Sequence, residues 1–295
     1  MKNLLLIFII IAGVFLSNCG KIPEKRGAEL LIRCDDIGMC HSVNMAAKQV
    51  LETSLPISAS VMFVCPWYQE ARDILKNYPN VSIGVHLTLN AEWKNYRWGP
   101  IIGAAGAPTL VDSCGYFFPS RKLFFANNPK IDEVEKELRA QLERALKSGL
   151  RIDYLDTHMS TISETPEYRD IVVKLAEEYK LGISGAFGEN YNNRIYSAPL
   201  QTKIDTLIHY INKIEPKNLN LFVFHIGKDN PEMSALEDMN PYGLENMSKH
   251  RNAELNALKS KKLVDTIKEN GIELVTYRDV IEKVGLENMK TSKID

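Results

Sequence analysis

The hydrophobic positions of this chain follow two periods in turn. Short apolar runs of strand character occupy 30–34, 57–64, 81–87, 152–155, 182–186, 219–224 and 272–276. Between them lie stretches in which apolar residues recur every three or four positions, the spacing of one buried helix face. The clearest is 131–147, where Ile131, Val134, Leu138, Leu142 and Leu146 share a side. Helices are also predicted over 42–51, with Ser42 as the N-cap, over 66–78 behind Pro66, and over 167–179, 202–214 and 251–269. A short last helix starts at Arg278. A strand followed by a helix, repeated about seven times, implies parallel strands joined by crossovers. The expectation is one α/β domain, either a barrel or a doubly wound sheet, with no internal repeat.

Three stretches break this pattern. Segments 88–130 and 226–250 carry little periodicity, and loops beyond roughly 15 residues usually shape a binding site or are disordered. Both follow strands that close on a histidine, His86 or His225, which favours binding. The third stretch is the beginning, where Lys2 precedes thirteen apolar residues, 4–16, followed by Ser17-Asn18-Cys19-Gly20. A membrane span needs about 20 apolar residues, so this run fits the core of a secretory signal better than an uncleaved anchor. Leu16-Ser17-Asn18-Cys19 resembles the lipobox of bacterial lipoproteins. That resemblance implies a signal peptide over 1–18 with lipidation at Cys19; a polar tether over 19–28, the α/β domain over 29–285 and a polar tail over 286–295 complete the expected division. The protein is then expected outside the cytoplasm, in the periplasm or at the cell surface, held to a bacterial membrane by lipid alone.

Composition narrows the picture further. A chain of 295 residues with 45% hydrophobic content can bury a full core without staples. Cys34, Cys40, Cys65 and Cys114 match no zinc spacing and read as small buried thiols. Cys34 and Cys40 are the closest pair, which an exported location would permit to join. A formal net charge of −1 gives no electrostatic case for nucleic acid.

Candidate chemistry gathers at strand ends, where α/β barrels build their active sites. Asp35 and Asp36 close the first run, His86 lies near the end of the third, His158 follows the fourth and His225 ends the sixth. A lone histidine in an apolar run is usually a packed core residue. Polar side chains at the same end of four strands are harder to read as packing. Adjacent carboxylates repel each other, and a divalent cation would neutralise one and leave the other as a base. Two histidines and a carboxylate can hold such an ion with sites left open, and Asp36, His86 and His158 would supply them, with Asp35 as the base. Asp156 either orients the His158 imidazole or caps a turn. Asn44 is placed near the aspartate pair to contact site water or ligand. His41 is read as solvent-exposed, and His209 and His250 are assigned no chemistry. Arg251 and Glu254 could pair on one helical face in a structural role.

Cys34-Asp35-Asp36-Ile37-Gly38, Ile83-Gly84-Val85-His86-Leu87-Thr88-Leu89, Asp156-Thr157-His158 and Phe224-His225-Ile226-Gly227 occur in an order and spacing similar to those of the YdjC-like (ChbG/HpnK) carbohydrate deacetylases. The resemblance runs from about Leu30 to Val280. It implies an irregular (β/α) barrel of about seven units, polysaccharide-deacetylase-like, a divalent metal (Mg2+ or Zn2+), and removal of acetyl groups from N-acetylated mono- or oligosaccharides. By position it implies Asp35 as catalytic base, Asp36, His86 and His158 as metal ligands, and His225 as general acid. Two departures from the pattern are Ser160, where many members have a second histidine, and Ile226, where proline is usual. Trp93, Tyr96, Arg97 and Trp98 in the first long loop could meet sugar faces and hydroxyls, or could form a small core of the loop itself. The rivals are another metal-dependent barrel hydrolase, such as a phosphoesterase, and a non-catalytic sugar-binding lipoprotein. The first would call for more basic residues round the site than Lys94 and Arg97 provide.

Overall fold

The computed structural model describes residues 27–291. The expected signal peptide, Cys19 and all but the last two residues of the tether lie outside the described residues, as does the end of the tail.

Strand β1 (Glu29–Ile37) is the axis of the molecule. It is followed by α1 (His41–Leu51), β2 (Ser58–Val61), α2 (Tyr68–Leu75) and β3 (Ser82–Leu87). Next come α3 (Arg121–Ala126), α4 (Ile131–Lys147), β4 (Tyr154–Thr157), α5 (Pro166–Tyr179), β5 (Gly182–Ile183) and β6 (Asn190–Asn192). The chain ends with α6 (Lys203–Ile211), β7 (Leu219–Phe224), α7 (Pro231–Ser234), α8 (Met247–Leu258), α9 (Lys261–Glu269), β8 (Glu273–Val275) and α10 (Tyr277–Val284).

All strand pairings are parallel, in the order β5-β4-β3-β2-β1-β7-β6. One edge of β1 pairs with β7 from Glu29 to Cys34. The other edge is shared: β8 takes Glu29 to Leu31 and β2 takes Arg33 to Ile37. The two end strands, β5 and β6, do not pair among the described residues, so the sheet curls into a half-barrel with an open seam. The Glu189 carboxylate bridges that seam, accepting from the backbone N–H groups of Gly185 and Phe187 and from the Tyr277 hydroxyl. Among the described residues no helix is long and apolar enough to cross a membrane.

Strand parity decides what faces the helices and what faces the barrel interior. Leu30, Ile32 and Cys34 of β1 belong to the large core under the helices. Leu31 belongs to a second cluster with Tyr154, Leu221, Val223, Val275 and Tyr277, which fills the floor of the interior. Helix α10 plugs that floor. Its first backbone N–H groups, from Tyr277 and Arg278, donate to the hydroxyls of Ser58 and Ser82, and the Tyr277 ring lies 4.2 Å from that of Tyr154. Gly84 makes room for this packing, since a Cβ there would come within 2.4 Å of the Tyr154 ring.

Several expectations change. The polar triplet Asn190–Asn192 is a strand that shows no apolar pattern. The helix expected over 251–269 is two helices, broken at Ser260, whose hydroxyl accepts the Leu263 N–H and starts α9 afresh. Ser42 does not cap α1. The helix begins at His41 with Cys40 at the cap position, and the Ser42 hydroxyl and N–H instead meet Asn230 and Glu232 from beyond β7. Cys34, Cys40, Cys65 and Cys114 are all free thiols; the first three are buried and Cys114 is exposed.

Candidate active site

Neighbouring residues of a regular strand point to opposite faces, so Asp35 and Asp36 could not both face the interior of a regular β1. The strand is not regular there. Asp36 has a φ of 61°, and the pairing with β2 shifts register between Cys34 and Ile37. This bulge brings the Asp36 carboxylate to the side already occupied by Asp35.

The structure brings Asp36, His86 and His158 together. The His86 Nε2 and His158 Nδ1 atoms are 3.4 Å apart and lie 3.4 and 3.3 Å from Asp36 Oδ1. All three residues are buried. A carboxylate only accepts, which fixes the tautomers. His86 Nδ1 donates to Asp156 Oδ1 at 3.0 Å, and His158 Nε2 donates to Glu92 Oε2 at 3.0 Å. In the neutral rings the remaining nitrogens turn their lone pairs toward one another and toward Asp36 Oδ1, which has no hydrogen-bond partner among the described residues. When both imidazoles are neutral, as ligation requires, three electron-pair donors converge with no proton between them. Atoms spaced this way can share an ion at about 2.0–2.1 Å from each, the range of nitrogen and carboxylate ligands to zinc. The outward N–H to carboxylate bonds are what orient metal-bound histidines.

Asp35, His86 and Asp156 form a second close group. It suits an ion less well, because Arg33 already binds its carboxylates. The Arg33 Nε and Nη2 atoms donate to the two oxygens of Asp35 at 2.7 and 2.8 Å, and Nε lies 3.2 Å from Asp156 Oδ2. Arg33 Nη1 continues to Ser184 Oγ at 2.6 Å.

Charge explains the ionisation of the group. Burial disfavours ionised Asp36, but Arg251, His158 and His86 outweigh it and hold the carboxyl well below its ordinary range. Asp156 is also lowered against burial, by His86 and Arg33. Burial opposes a charge on His86, yet Asp156 and Asp35 carry the imidazole up to about 10. His158 is likewise raised to about 9 against burial, chiefly by Glu92 and Asp36. Four buried carboxylates, Asp35, Asp36, Asp156 and Glu92, face two guanidiniums, Arg33 and Arg251. With neutral imidazoles the cluster carries two net negative charges, and a divalent cation would balance them.

His225 closes the wall at the end of β7, half-buried, with its Nδ1 atom enclosed and unpartnered. Its backbone N–H donates to Glu254 Oε2 at 2.8 Å, and its ring meets that of Tyr196 at 5.2 Å. Burial pushes its pKa below the ordinary value, against the pull of Asp36 and Asp35.

Other expected residues are placed differently. Asp156 orients His86, its register partner across β3 and β4, and not His158. Asn44 has no free amide for a ligand: its oxygen accepts from Gly38 N–H and its nitrogen donates to Trp67 O and Glu70 Oε2. Trp93 and Trp98 are buried, with their indole N–H groups on Met39 Sδ and Asn90 O. Arg97 is bound to Asp112 and to Phe117 O. Trp93 and Trp98 are thus part of the main core, with Trp93 beside Arg251 and the Trp98 ring 6.4 Å from that of His158. His41 is partly exposed and bonded to Glu70. Ser160 is exposed and outside the cluster, while Ile226 is fully buried. Arg251 and Glu254 do not pair; Arg251 reaches Asp36 and Glu254 reaches Lys203.

Arg33, Glu92, Arg251 and Glu254 were the residues that pattern reading left out of the site. Arg33 carried a signal, a charge inside an apolar strand two residues before Asp35 and hence on its face. Glu92 carried none. It is delivered by the docking of the two long loops, where Lys94 N–H donates to Glu237 O and Met239 N–H to Glu92 O, each at 2.9 Å.

Comparison with known proteins bears on this geometry. Residues 29–269 match the family model described as YdjC-like protein. A carbohydrate deacetylase of Thermoanaerobacter pseudethanolicus is 25% identical over 256 residues, covering 84% of this chain and 97% of that one. One from Brevibacillus brevis is 29% identical over 155 residues, 52% of this chain and 58% of the relative. Among solved structures, a protein of Enterococcus faecalis V583 described as a candidate for cellobiose-phosphate cleavage superposes with a TM-score of 0.71 at 21% identity, covering 86% of this chain and 99% of that one. That likeness establishes a shared fold.

Proposed function

This chain belongs to the YdjC-like family, and we propose that it is a divalent-metal-dependent hydrolase that removes acetyl groups from N-acetylated sugars or short oligosaccharides. The observation that carries the reading is the convergence of His86 Nε2, His158 Nδ1 and the unpartnered Asp36 Oδ1, with both imidazole N–H groups turned outward to carboxylates. The names of the curated relatives, carbohydrate deacetylases, support the substrate class. The apolar run 4–16 and Cys19 support an exported, lipid-anchored location as part of the same proposal.

An acetamide is a poor electrophile with a poor leaving group. A divalent ion held by Asp36, His86 and His158 would polarise the acetyl carbonyl and acidify water. Asp35 takes the proton from the attacking water. Arg33 holds both Asp35 oxygens in one orientation and leaves each a further lone pair for that proton. Protonated His225 delivers a proton to the departing nitrogen; its lowered pKa makes the imidazolium a stronger donor and leaves less of it charged at neutral pH. Acetate and a free amino sugar result.

A phosphoester is a poorer fit. The cluster is net negative, and both of its guanidiniums are committed to carboxylates. The test is acetate release from a panel of N-acetylated oligosaccharides by protein stripped with chelator and reloaded with magnesium, zinc, manganese or cobalt. Release that needs metal and disappears in Asp35→Asn supports the deacetylase. Tight metal binding with no release on any sugar would remove it, and sugar binding by a wild type that releases no acetate, with Asp35→Asn losing nothing, would favour the non-catalytic binder.

A further inference from the structure

Helix α8 presents two charged side chains one turn apart that reach different parts of the site. Arg251 Nη2 donates to Asp36 Oδ2 at 2.6 Å, with both side chains buried. Glu254 Oε2 accepts the backbone N–H of His225 at 2.8 Å, and its Oε1 is held by the fully buried Lys203 at 2.9 Å. Lys203 is itself fixed by the carbonyls of Ile195 and Tyr196. A third tie runs along the backbone, where Gly227 N–H donates to Arg251 O at 3.3 Å. Gly227 also admits the arginine stem, since a Cβ there would lie 3.1 Å from Arg251 Cβ and 3.4 Å from its Cδ.

The arginine is costly where it sits. Its Nε and Nη1 atoms are buried without partners among the described residues, and the guanidinium lies 5.6 Å from the centre of the Trp93 ring. A buried cation with unsatisfied donors is retained only where its ion pair is worth the desolvation. The gain here is at Asp36. With Oδ2 turned to Arg251, Oδ1 is the oxygen that faces the two imidazole nitrogens, at 3.4 and 3.3 Å.

We propose that α8 is a two-ended clamp, in which Arg251 holds Asp36 with Oδ1 turned to the two histidines while Glu254 holds His225 at the end of the neighbouring strand. This rests on the metal-dependent reading above. Arg251 and Glu254 are positioning residues, each acting through the side chain or backbone it grips. Loss of an outer partner of a metal ligand typically weakens metal affinity by about 10–100-fold.

The test is metal binding by titration calorimetry on the full chain, beside kcat and KM for acetate release. Arg251→Met is expected to weaken metal affinity by at least about 10-fold, and Arg251→Lys to recover part of it through one remaining donor. Glu254→Gln is expected to leave metal affinity unchanged and to lower kcat with little change in KM. Because Glu254→Gln strands Lys203 and can unfold the chain, the pair Lys203→Met with Glu254→Gln is measured alongside it, with the same outcome expected. Wild-type affinity in Arg251→Met would overturn the clamp alone, as would a Glu254 variant that weakens metal and leaves kcat intact. A wild-type protein that takes up no metal would overturn the clamp and the function together.

Discussion

At the residue scale, the site depends on one backbone angle. A φ of 61° at Asp36 costs a non-glycine residue about 1–3 kcal/mol, and the surroundings that hold it there are the guanidinium of Arg251 and the slipped pairing with β2. The carboxylates behind the histidines matter for the same reason of aim. Asp156→Ala frees the Nδ1 side of His86 and is expected to weaken metal binding by about 10–100-fold, read by calorimetry. Gly84→Ala tests the floor beneath. A Cβ at 2.4 Å from the Tyr154 ring cannot be accommodated without movement, and overpacking of this kind costs about 1–3 kcal/mol in urea unfolding.

At the element scale, the helices hold the loops and the loops complete the site. Helix α4 does so through buried polar side chains on its inner face: Glu137 accepts from the N–H groups of Ile101 and Ile102, and Gln141 bonds both the N–H and the carbonyl of Thr88. Burial raises the Glu137 carboxyl. The break between α8 and α9 is set by a single hydroxyl. Ser260→Ala is expected to cost about 1 kcal/mol of unfolding free energy, as for other N-caps, with metal affinity unaffected because Ser260 touches no residue of the cluster.

At the scale of the whole molecule, the buried charges make stability and metal binding depend on pH together. His86 and His158 are raised to about 10 and about 9 in the folded protein without metal. Groups raised on folding stabilise fully below their unfolded value, about 6.5, and lose that contribution as pH climbs through the folded values. Asp36 and Asp156 are lowered, so their contribution is present above about 4 and fades in acid. Metal-free protein should therefore melt at a lower temperature at pH 10 than at pH 6. Ligation needs the imidazoles unprotonated, so the gain in melting temperature on adding metal should grow over the same range. Thermal melts at pH 6, 8 and 10, with and without metal, check both signs.

The alternation of parallel strands and helices is legible in the order of residues, because apolar periodicity is a local property that survives in one dimension. Legible too are the strand ends that carry Asp35, Asp36, His86, His158 and His225, since parity and position along a strand follow from that order alone. β7 was legible at both boundaries, from Leu219 to Phe224. Which side chains serve one another is settled by packing. Asp156 goes to His86 because β3 and β4 pair in that register. Glu92 reaches His158 because two long loops dock together, and Arg251 reaches Asp36 across 215 positions of chain. Trp93 and Trp98 are buried in the main core and Arg97 is bound to Asp112, because the loop docks against α8 and the turns that follow β1 and β4. Contacts of this kind depend on register, docking and burial, which are relations between segments and leave no periodic trace within any one of them.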